Sequence, residues 1–555
     1  MPIPLPPGIS LTTPSSSSSS PSPRGRGVTA TRHFSPGATI AVFEGESSSS
    51  GGGGSGNPVT IAIPDGAHLG ETCHRCLSAT APVRACTGCR TAAYCSPACQ
   101  RADWRSGAHK AECEVFRRVR DEGRGALPTP VRALVKALLM RPAGVPLAEL
   151  EGHVDAFRRD RDAWGDMQLQ ALAALHYTGA EATPRSVADA IEILCKLQVN
   201  SFNRLDADIG QNGLFLNFAL AMVNHSCVPN AFVQFIGRKA ILHAYQEIKK
   251  DEEIEISYIE CTPHRTHRQE ALKRRYHFDC TCLRCEDDLD LYQVCQKYPH
   301  LELNSLSLFP DLQKLRNPPI SRFLHSDKTL QRAVEDIYPT CSEPLRGQNS
   351  EGKVKQLRQR WKACEPLWKA ELYAIDPMSQ VLAETNIYFS ENGHFIYSLA
   401  ISCFIALNCD PYRSPMPFGP QRVKGLFMIA KLLSNTAPAD MGSEPSKGSG
   451  PIATKISQIL SKVDQATMCQ VLLALVAHYG PAAHSTEWQV YRQATDLLSD
   501  IESLPGREPE DSLVKAFIRN PKGVEETRFF ESAVLNPIRE LSQFALEIMA
   551  SEFSS

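Results

Sequence analysis

The chain has 555 residues, several times the size of an ordinary domain, so it should divide into about two to four folded units. Its 59 lysines and arginines nearly balance its 61 aspartates and glutamates, and the net charge of -2 gives no global field that would gather nucleic acid or anionic membrane. No secretory signal and no apolar stretch of the roughly 18 to 20 residues that a membrane span requires are evident. We therefore expect an intracellular protein, nuclear or cytoplasmic or both, whose 19 cysteines serve metal ligation and core packing rather than disulfides.

The N-terminal region changes character twice. Residues 1–23 are rich in proline and serine and offer few apolar side chains, so we expect them to be disordered. From Arg24 the run RGRGVTATRHFSPGATIAVFE has a glycine-rich turn and two β-prone stretches around a Ser-Pro-Gly turn, which predicts a hairpin. The linker SSSSGGGGSG then predicts a flexible loop before another strand that begins at Pro58.

A dense group of metal-ligating residues follows between positions 73 and 113. Two C-x2-C turns can each bring two thiolates to one ion, and two i, i+4 pairs present their side chains on one face of a helix. Thiols scattered through a core are a poor alternative for so many paired spacings. The pattern predicts two closed tetrahedral zinc sites without a catalytic position, and the eight ligands are Cys73, Cys76, Cys86, Cys89, Cys95, Cys99, His109 and Cys113.

Helical periodicity dominates the next segment, 114–200. One amphipathic helix begins near Thr129 and Pro130, and another follows Ser186 and runs close to Asn200. Strand patterns return over 215–258. Beyond about 290 the pattern is helical to the end, and proline-rich breaks there are similar to those between tetratricopeptide repeats, although no fixed period emerges.

Three sequence blocks near the centre of the chain resemble the SET domain of the SET and MYND domain-containing protein-lysine methyltransferases. They are NHSCVPN at 224–230, DEEIEISY ending at Tyr258 and YHFDCTCLRC from Tyr276; the upstream RGRG and the cysteine cluster, with its AYC, CQ and DW dipeptides, match the same family. The resemblance implies an α+β fold: a SET β-fold split by a MYND module and a helical insert, then an all-helical domain that is similar to tetratricopeptide repeats. The implied segments are 24–70 and 201–262 for SET, 73–113 for MYND, 114–200 for the insert, 263–287 for a post-SET zinc segment and 288–555 for the helical domain.

The resemblance also assigns residues to S-adenosylmethionine and to the reaction. Tyr258 would be the catalytic residue, its hydroxyl positioning a lysine amine. Asparagine amides suit an amino-acid end or an adenine edge, and aromatic faces favour a cationic sulfonium. Three plainer interpretations stay open: a simple glycine turn, a helix C-cap at Asn200, and core packing by Tyr258. The implied cofactor-binding residues are Arg24, Gly25, Arg26, Gly27, Asn200, Asn224, His225, Tyr258, Tyr276 and Phe278.

The family pattern further implies how the zinc ligands are shared. In the MYND module the ligation would be interleaved, with the first and third pairs on one ion and the second and fourth on the other. Cys280, Cys282 and Cys285 are one thiolate short of a closed site, and the resemblance supplies Cys227 as the fourth ligand of a third structural zinc. A redox pair at Cys280 and Cys282 is the alternative.

The expected function is methyl transfer from S-adenosylmethionine to lysine side chains of histones or other proteins, on chromatin or elsewhere. The MYND finger would bind proline-rich peptides. The alternative is a non-catalytic adaptor that keeps the SET shell and binds such partners. Direct DNA binding and membrane association are not expected, because the chain lacks a basic stripe and a span, and we expect a monomer.

Overall fold

The computed structural model describes residues 5–12, 25–44, 60–106, 108–140, 147–206, 210–297, 327–342, 345, 350–436 and 450–554. Arg24, most of the N-terminal tail and the SSSSGGGGSG loop lie outside this part. The chain forms two compact units, Met1–Tyr258 with Ala271–Cys280, and Ile259–Glu270 with Thr281–Ser555. Every described strand lies in the first unit, and the described regular elements of the second are helices. The predicted α+β class is confirmed.

The first unit is organised around one mixed sheet of six strands in the order β3-β11-β10-β7-β8-β4. All of its pairings are antiparallel except that of β10 with β7. A parallel pair, β9 with β12, sets Asn224 beside Glu255 and His225 beside Ile256. The strands are β1 (Ile9–Thr12), β2 (Gly27–Ala30), β3 (Thr39–Glu44), β4 (Thr60–Pro64), β5 (Arg84–Ala85), β6 (Ala93–Tyr94), β7 (Phe202–Asp206), β8 (Gly210–Asn217), β9 (Asn224–His225), β10 (Ala231–Ile236), β11 (Lys239–Ala244) and β12 (Glu255–Ile256).

Two expectations about the N-terminus are wrong. Ile9–Thr12 is a strand rather than part of a disordered tail, because it pairs antiparallel with Gly27–Ala30 and buries Ile9 in the core. The expected hairpin after Arg24 does not form either: β2 pairs with β1, whereas β3 pairs with β11. The backbone hydrogen bonds of β2 and β3 are therefore made with other strands, and the turn residues between them do not indicate which strands those are.

The helices of the first unit surround the sheet and the finger. Thr183 caps α6 through a reciprocal capping box with Ser186, and Ser96 caps α1 at the Cys99 N–H. Buried side chains from the sheet, the finger and the insert helices form one continuous core. These helices are α1 (Pro97–Arg105), α2 (Ala108–Asp121), α3 (Thr129–Met140), α4 (Val154–Arg159), α5 (Arg161–Thr178), α6 (Pro184–Asn200) and α7 (Arg265–Tyr276), of which only the C-terminal half of α7 belongs to this unit.

The second unit consists of packed helices, and whether it is tetratricopeptide-like stays a prediction. Gln465–Ala483 alone among the described helices is long and apolar enough to cross a membrane, but 67% of its most apolar window is buried, as in a core helix. The helices are α8 (Leu283–Glu286), α9 (Leu291–Lys297), α10 (Lys328–Ser342), α11 (Ser350–Ala363), α12 (Glu365–Lys369), α13 (Met378–Glu391), α14 (Phe395–Asn408), α15 (Asp410–Arg413), α16 (Pro420–Thr436), α17 (Pro451–Leu460), α18 (Gln465–Ala483), α19 (Gln489–Glu502), α20 (Glu508–Arg519), α21 (Val524–Phe530), α22 (Asn536–Ser542) and α23 (Ala545–Phe553), with a π-helical turn at Glu531–Leu535.

Candidate active site and metal centres

The eight predicted ligands of the finger fall into two groups of four, interleaved along the chain. Sγ–Sγ distances of 3.7 Å and 3.6 Å, from Cys95 to Cys76 and to Cys99, match the ~3.8 Å edge of a tetrahedron with Zn–S bonds of about 2.3 Å. The hairpin β5–β6 and helices α1 and α2 position these ligands. Within each group all ligand atoms lie within 4.8 Å of one another, and the groups are Cys73, Cys76, Cys95 and Cys99, and Cys86, Cys89, His109 and Cys113.

A third group has the composition of a closed thiolate site. Cys227, Cys280, Cys282 and Cys285 are all buried, and their sulfurs lie within 4.8 Å of one another. Four thiolates suit tetrahedral zinc and leave no open position. The three zinc-binding clusters expected from the sequence are therefore present.

A buried charged network, which the sequence analysis missed, joins the finger to the insert. Glu112 on α2 accepts a hydrogen bond from Lys136 Nζ on α3 at 3.0 Å, and His74 Nε2 lies 3.5 Å from its other oxygen. Burial alone would raise the pKa of Glu112, but Lys136 and His74 hold it well below its usual range. The residues lie 24 and 38 positions from Glu112, and no local spacing signals such a contact.

Asn224, at the start of the NHSCVPN motif, lies against the glycine-rich entry segment. Its Nδ2 donates to the Arg26 carbonyl at 3.1 Å and to Glu253 Oε1 at 2.8 Å. A Cβ on Gly27 would stand 2.6 Å from Glu253 Oε1 and 3.1 Å from Asn224 Nδ2. The glycine therefore makes room for the Asn224–Glu253 pair, and the predicted neighbours Arg26, Gly27 and Asn224 do meet.

The guanidinium of Arg26 has a partner of its own. Its Nη1 forms an ion pair with Glu149 Oε2 at 2.8 Å, and Nη2 donates to the Glu149 carbonyl. Gly25 has a positive φ of 73°, a conformation that favours glycine. The turn thus tethers the entry segment to the insert, while Arg24 lies outside the described residues.

Tyr258 is held by its main chain and by its hydroxyl. The O–H donates to the Val223 carbonyl at 2.6 Å, and the N–H donates to His225 Nδ1 at 3.1 Å. Burial raises the pKa of Tyr258, so at neutral pH it carries an uncharged hydroxyl whose lone pairs remain free to accept.

The imidazole of His225 lies between Tyr258 and the zinc ligand Cys227 and contacts both. Its Nδ1 accepts from the Tyr258 N–H, so the ring proton resides on Nε2, which lies 3.4 Å from Cys227 Sγ. The imidazole is buried, with its centroid 5.2 Å from that of Tyr258. The ring nitrogens are therefore engaged within the protein, so any cofactor contact by His225 would fall to other atoms.

Aromatic side chains complete the surroundings of Tyr258. The rings of Tyr276 and Phe278 lie with centroids 4.8 Å and 6.5 Å from that of Tyr258, and the Tyr276 O–H donates to the Tyr258 carbonyl at 3.3 Å. His277, between them, has φ of 58° and contacts Phe157 on the insert, centroids 4.3 Å apart. The predicted aromatic residues come together, and the insert packs against their segment.

Asn200 is the last residue of α6, and its side-chain amide bonds to two backbone carbonyls. Its Nδ2 donates to the Lys196 carbonyl within α6 at 2.8 Å and to the Glu151 carbonyl at 2.7 Å. Both donors are thus committed to backbone, although the C-cap position of α6 belongs to Ser201 rather than to Asn200. Only Oδ1 would remain for a ligand.

Parts of the chain are similar in sequence to known proteins. Residues 73–113 match the family model of the MYND finger. The chain is 35% identical over 234 residues to SET domain and MYND-type zinc finger protein 6 of Schizosaccharomyces pombe, which covers 41% of the chain and 46% of the relative. It is 26% identical to Histone-lysine N-methyltransferase ASHR1 of Arabidopsis thaliana, covering 51% and 60% of the respective chains, and 28% identical to N-lysine methyltransferase SMYD2-A of Danio rerio, covering 61% and 71%.

These matches confirm the resemblance without extending it to the whole chain. The alignments span 46% and 60% of the lengths of the first two relatives. With the MYND finger at 73–113, the chain is thus similar to SET and MYND domain proteins over part of its length.

Proposed function

We propose that this protein transfers a methyl group from S-adenosylmethionine to a lysine side chain of a protein substrate. The observation that carries the proposal is the placement of Tyr258. Its neutral hydroxyl donates to the carbonyl of Val223, the residue directly before Asn224. Two further aromatic rings, those of Tyr276 and Phe278, lie next to the Tyr258 ring. The relatives named as histone-lysine and N-lysine methyltransferases support the same reaction.

The residues around Asn224 fit the amino-acid end of the cofactor. Gly27 has no side chain to fill the space beside Asn224 and Glu253, and a Cβ there would collide with both. Bound S-adenosylmethionine would supply a methyl group on a cationic sulfonium, a charge that aromatic faces and a nearby carboxylate favour. We propose that Gly25, Arg26, Gly27, Asn200, Asn224, His225, Tyr276 and Phe278, together with Arg24, form its binding site.

The chain's own groups would prepare the lysine amine. In water that amine has a pKa near 10.4 and is protonated, and it must be neutral and about 3 Å from the methyl group to react. Desolvation beside the positive sulfonium would disfavour the charged form of the amine and so lower its pKa. Because the Tyr258 O–H donates its hydrogen bond to the Val223 carbonyl, the hydroxyl oxygen is left to accept from the amine or from the polarised methyl group. S-adenosylhomocysteine would be the co-product.

The zinc ions would be structural, since each cluster has four ligands and no open position. For partners we propose a histone or another protein as substrate and proline-rich peptides at the MYND finger. The protein would act as a monomer in the nucleus, the cytoplasm or both. We keep the proposed SET assignment of 24–70 and 201–262, with 114–200 as its insert, 263–287 as the post-SET segment and 288–555 as the helical domain.

The test measures binding before turnover. Zinc-loaded protein is titrated with S-adenosylhomocysteine by calorimetry, and labelled methyl incorporation from S-adenosylmethionine into a protein mixture is then followed. We expect binding and transfer, and loss of most transfer in Tyr258→Phe with binding retained. Tyr177→Phe, which removes a hydroxyl that donates to Glu122 on the insert side, is the matched control.

Two results would contradict the proposal. Absence of cofactor binding by the zinc-loaded protein would end the enzyme assignment, and full transfer by Tyr258→Phe would remove the role of the hydroxyl. Binding without transfer to any protein would favour the non-catalytic adaptor instead.

A further inference from the structure

The side-chain amide of Asn224 has only one orientation open to it. Its Nδ2 faces the Arg26 carbonyl at 3.1 Å and Glu253 Oε1 at 2.8 Å. A carbonyl and a carboxylate can only accept hydrogen bonds, so the NH₂ end of the amide must point at them. Oδ1, which has no hydrogen-bond partner in the described part of the chain, is thereby left as the available acceptor.

The backbone of Glu253 is itself held in place. Asn230, the last residue of the NHSCVPN motif, donates from Nδ2 to the Glu253 carbonyl at 2.8 Å and accepts from the Glu255 N–H at 2.8 Å. Residue 253 also forms an isolated antiparallel bridge with Thr29. On the other side Gly27 comes so close to the carboxylate that no side chain fits between them. Glu253 is thus fixed through its backbone and confined at its oxygens.

We propose that Glu253 is a positioning residue that makes the cofactor site specific for an α-ammonium group. This inference rests on the proposed function. By accepting from Nδ2, Glu253 turns the Asn224 Oδ1 outward as an acceptor, which suits an ammonium and disfavours a ligand without one. Its negative charge, in a half-buried position, adds attraction for the same cation. A glutamate that merely stabilised the strand would affect all ligands equally.

The test compares two ligands that differ only in the α-amino group, S-adenosylhomocysteine and its desamino analogue, by calorimetry. The wild type should prefer the amine-bearing ligand. Glu253→Gln removes the charge and replaces an obligate acceptor by an amide that can also present an NH₂ group, so that the Arg26 carbonyl alone still requires the Asn224 NH₂ end. It should lower that preference about tenfold or more, the scale of one charged hydrogen bond. Glu252→Gln is the matched control, because Glu252 is exposed and its oxygen caps the Lys249 N–H.

Melting temperature and zinc content show whether each variant is folded. If Glu253→Gln does not fold, Glu253→Asp keeps the charge but withdraws it by one methylene, and it should lower the preference as well. An unchanged preference in the folded variant overturns the inference while leaving the proposed function intact. Failure of the zinc-loaded wild type to bind either ligand overturns both.

Discussion

Replacing Gly27 by alanine tests the entry segment from the side opposite to Glu253. The φ of Gly27 is not in the left-handed region, so alanine brings no backbone strain. Its Cβ would stand 2.6 Å from Glu253 Oε1, closer than any real contact, and the flexible carboxylate would have to move. The fold should survive, but the 2.8 Å hydrogen bond from Asn224 should break.

The size of the effect follows from the bond that is lost. A hydrogen bond to a charged group contributes roughly 1.5–3 kcal/mol, which corresponds to an affinity loss of about 10- to 150-fold. Calorimetry with S-adenosylhomocysteine measures the loss, and thermal melting checks the fold. Gly70→Ala is the control, because nothing lies within 4 Å of the Cβ it would add. Gly27→Ala with unchanged affinity would refute the reasoning that this glycine keeps space for the pair.

Three further predictions concern stability and metal. Lys136→Met leaves Glu112 charged and buried without its main partner, so the free energy of unfolding, measured in urea, should fall by about 3–5 kcal/mol. Cys280→Ser and Cys95→Ser should each lower the zinc content by one ion, but only Cys280→Ser, two residues from Phe278, should weaken S-adenosylhomocysteine binding in calorimetry. Burial raises the pKa of Asp410 to about 6, so the folded chain holds a proton that the unfolded chain releases. Between about pH 4 and a pH above 6, the free energy of unfolding of the wild type, measured in urea, should therefore fall by roughly 3 kcal/mol relative to that of Asp410→Asn. If the free energies of the two proteins changed in parallel with pH, this titration would be excluded.

The metal centres could be predicted from the sequence because their determinants are local. His109 and Cys113 lie one turn apart within α2. Cys95, by contrast, stands just before α1, and only Cys99 lies in that helix, which Ser96 caps. The fourth ligand of the third cluster is different, since Cys227 lies 53 residues before Cys280. Only the family resemblance pointed to it, and spacing alone would have left that site one thiolate short.

The contacts that orient the site escaped prediction because they join distant segments. In the sequence Glu253 is only one residue of a strand motif, yet in the fold it contacts Asn224, 29 positions away, and lies beside Gly27, 226 positions away. The strand Ile9–Thr12 was lost for a similar reason: its own composition is weak, and its stability comes from the pairing with β2. In both cases the contact that stabilises the segment is made with a distant residue or strand, and the periodicity of the local sequence does not indicate which one.

The position of His225 shows how the metal and the proposed reaction centre depend on each other. The zinc-binding thiolate of Cys227 accepts from Nε2 of His225, which fixes the proton on that nitrogen and leaves Nδ1 as an acceptor. Nδ1 in turn receives the N–H of Tyr258, whose hydroxyl is held on the Val223 carbonyl. Loss of the thiolate would free the imidazole to change tautomer, and a proton on Nδ1 would repel the Tyr258 N–H. The third zinc cluster would therefore help to keep the Tyr258 hydroxyl on the Val223 carbonyl, because two hydrogen bonds, through His225, connect the metal-binding thiolate to Tyr258.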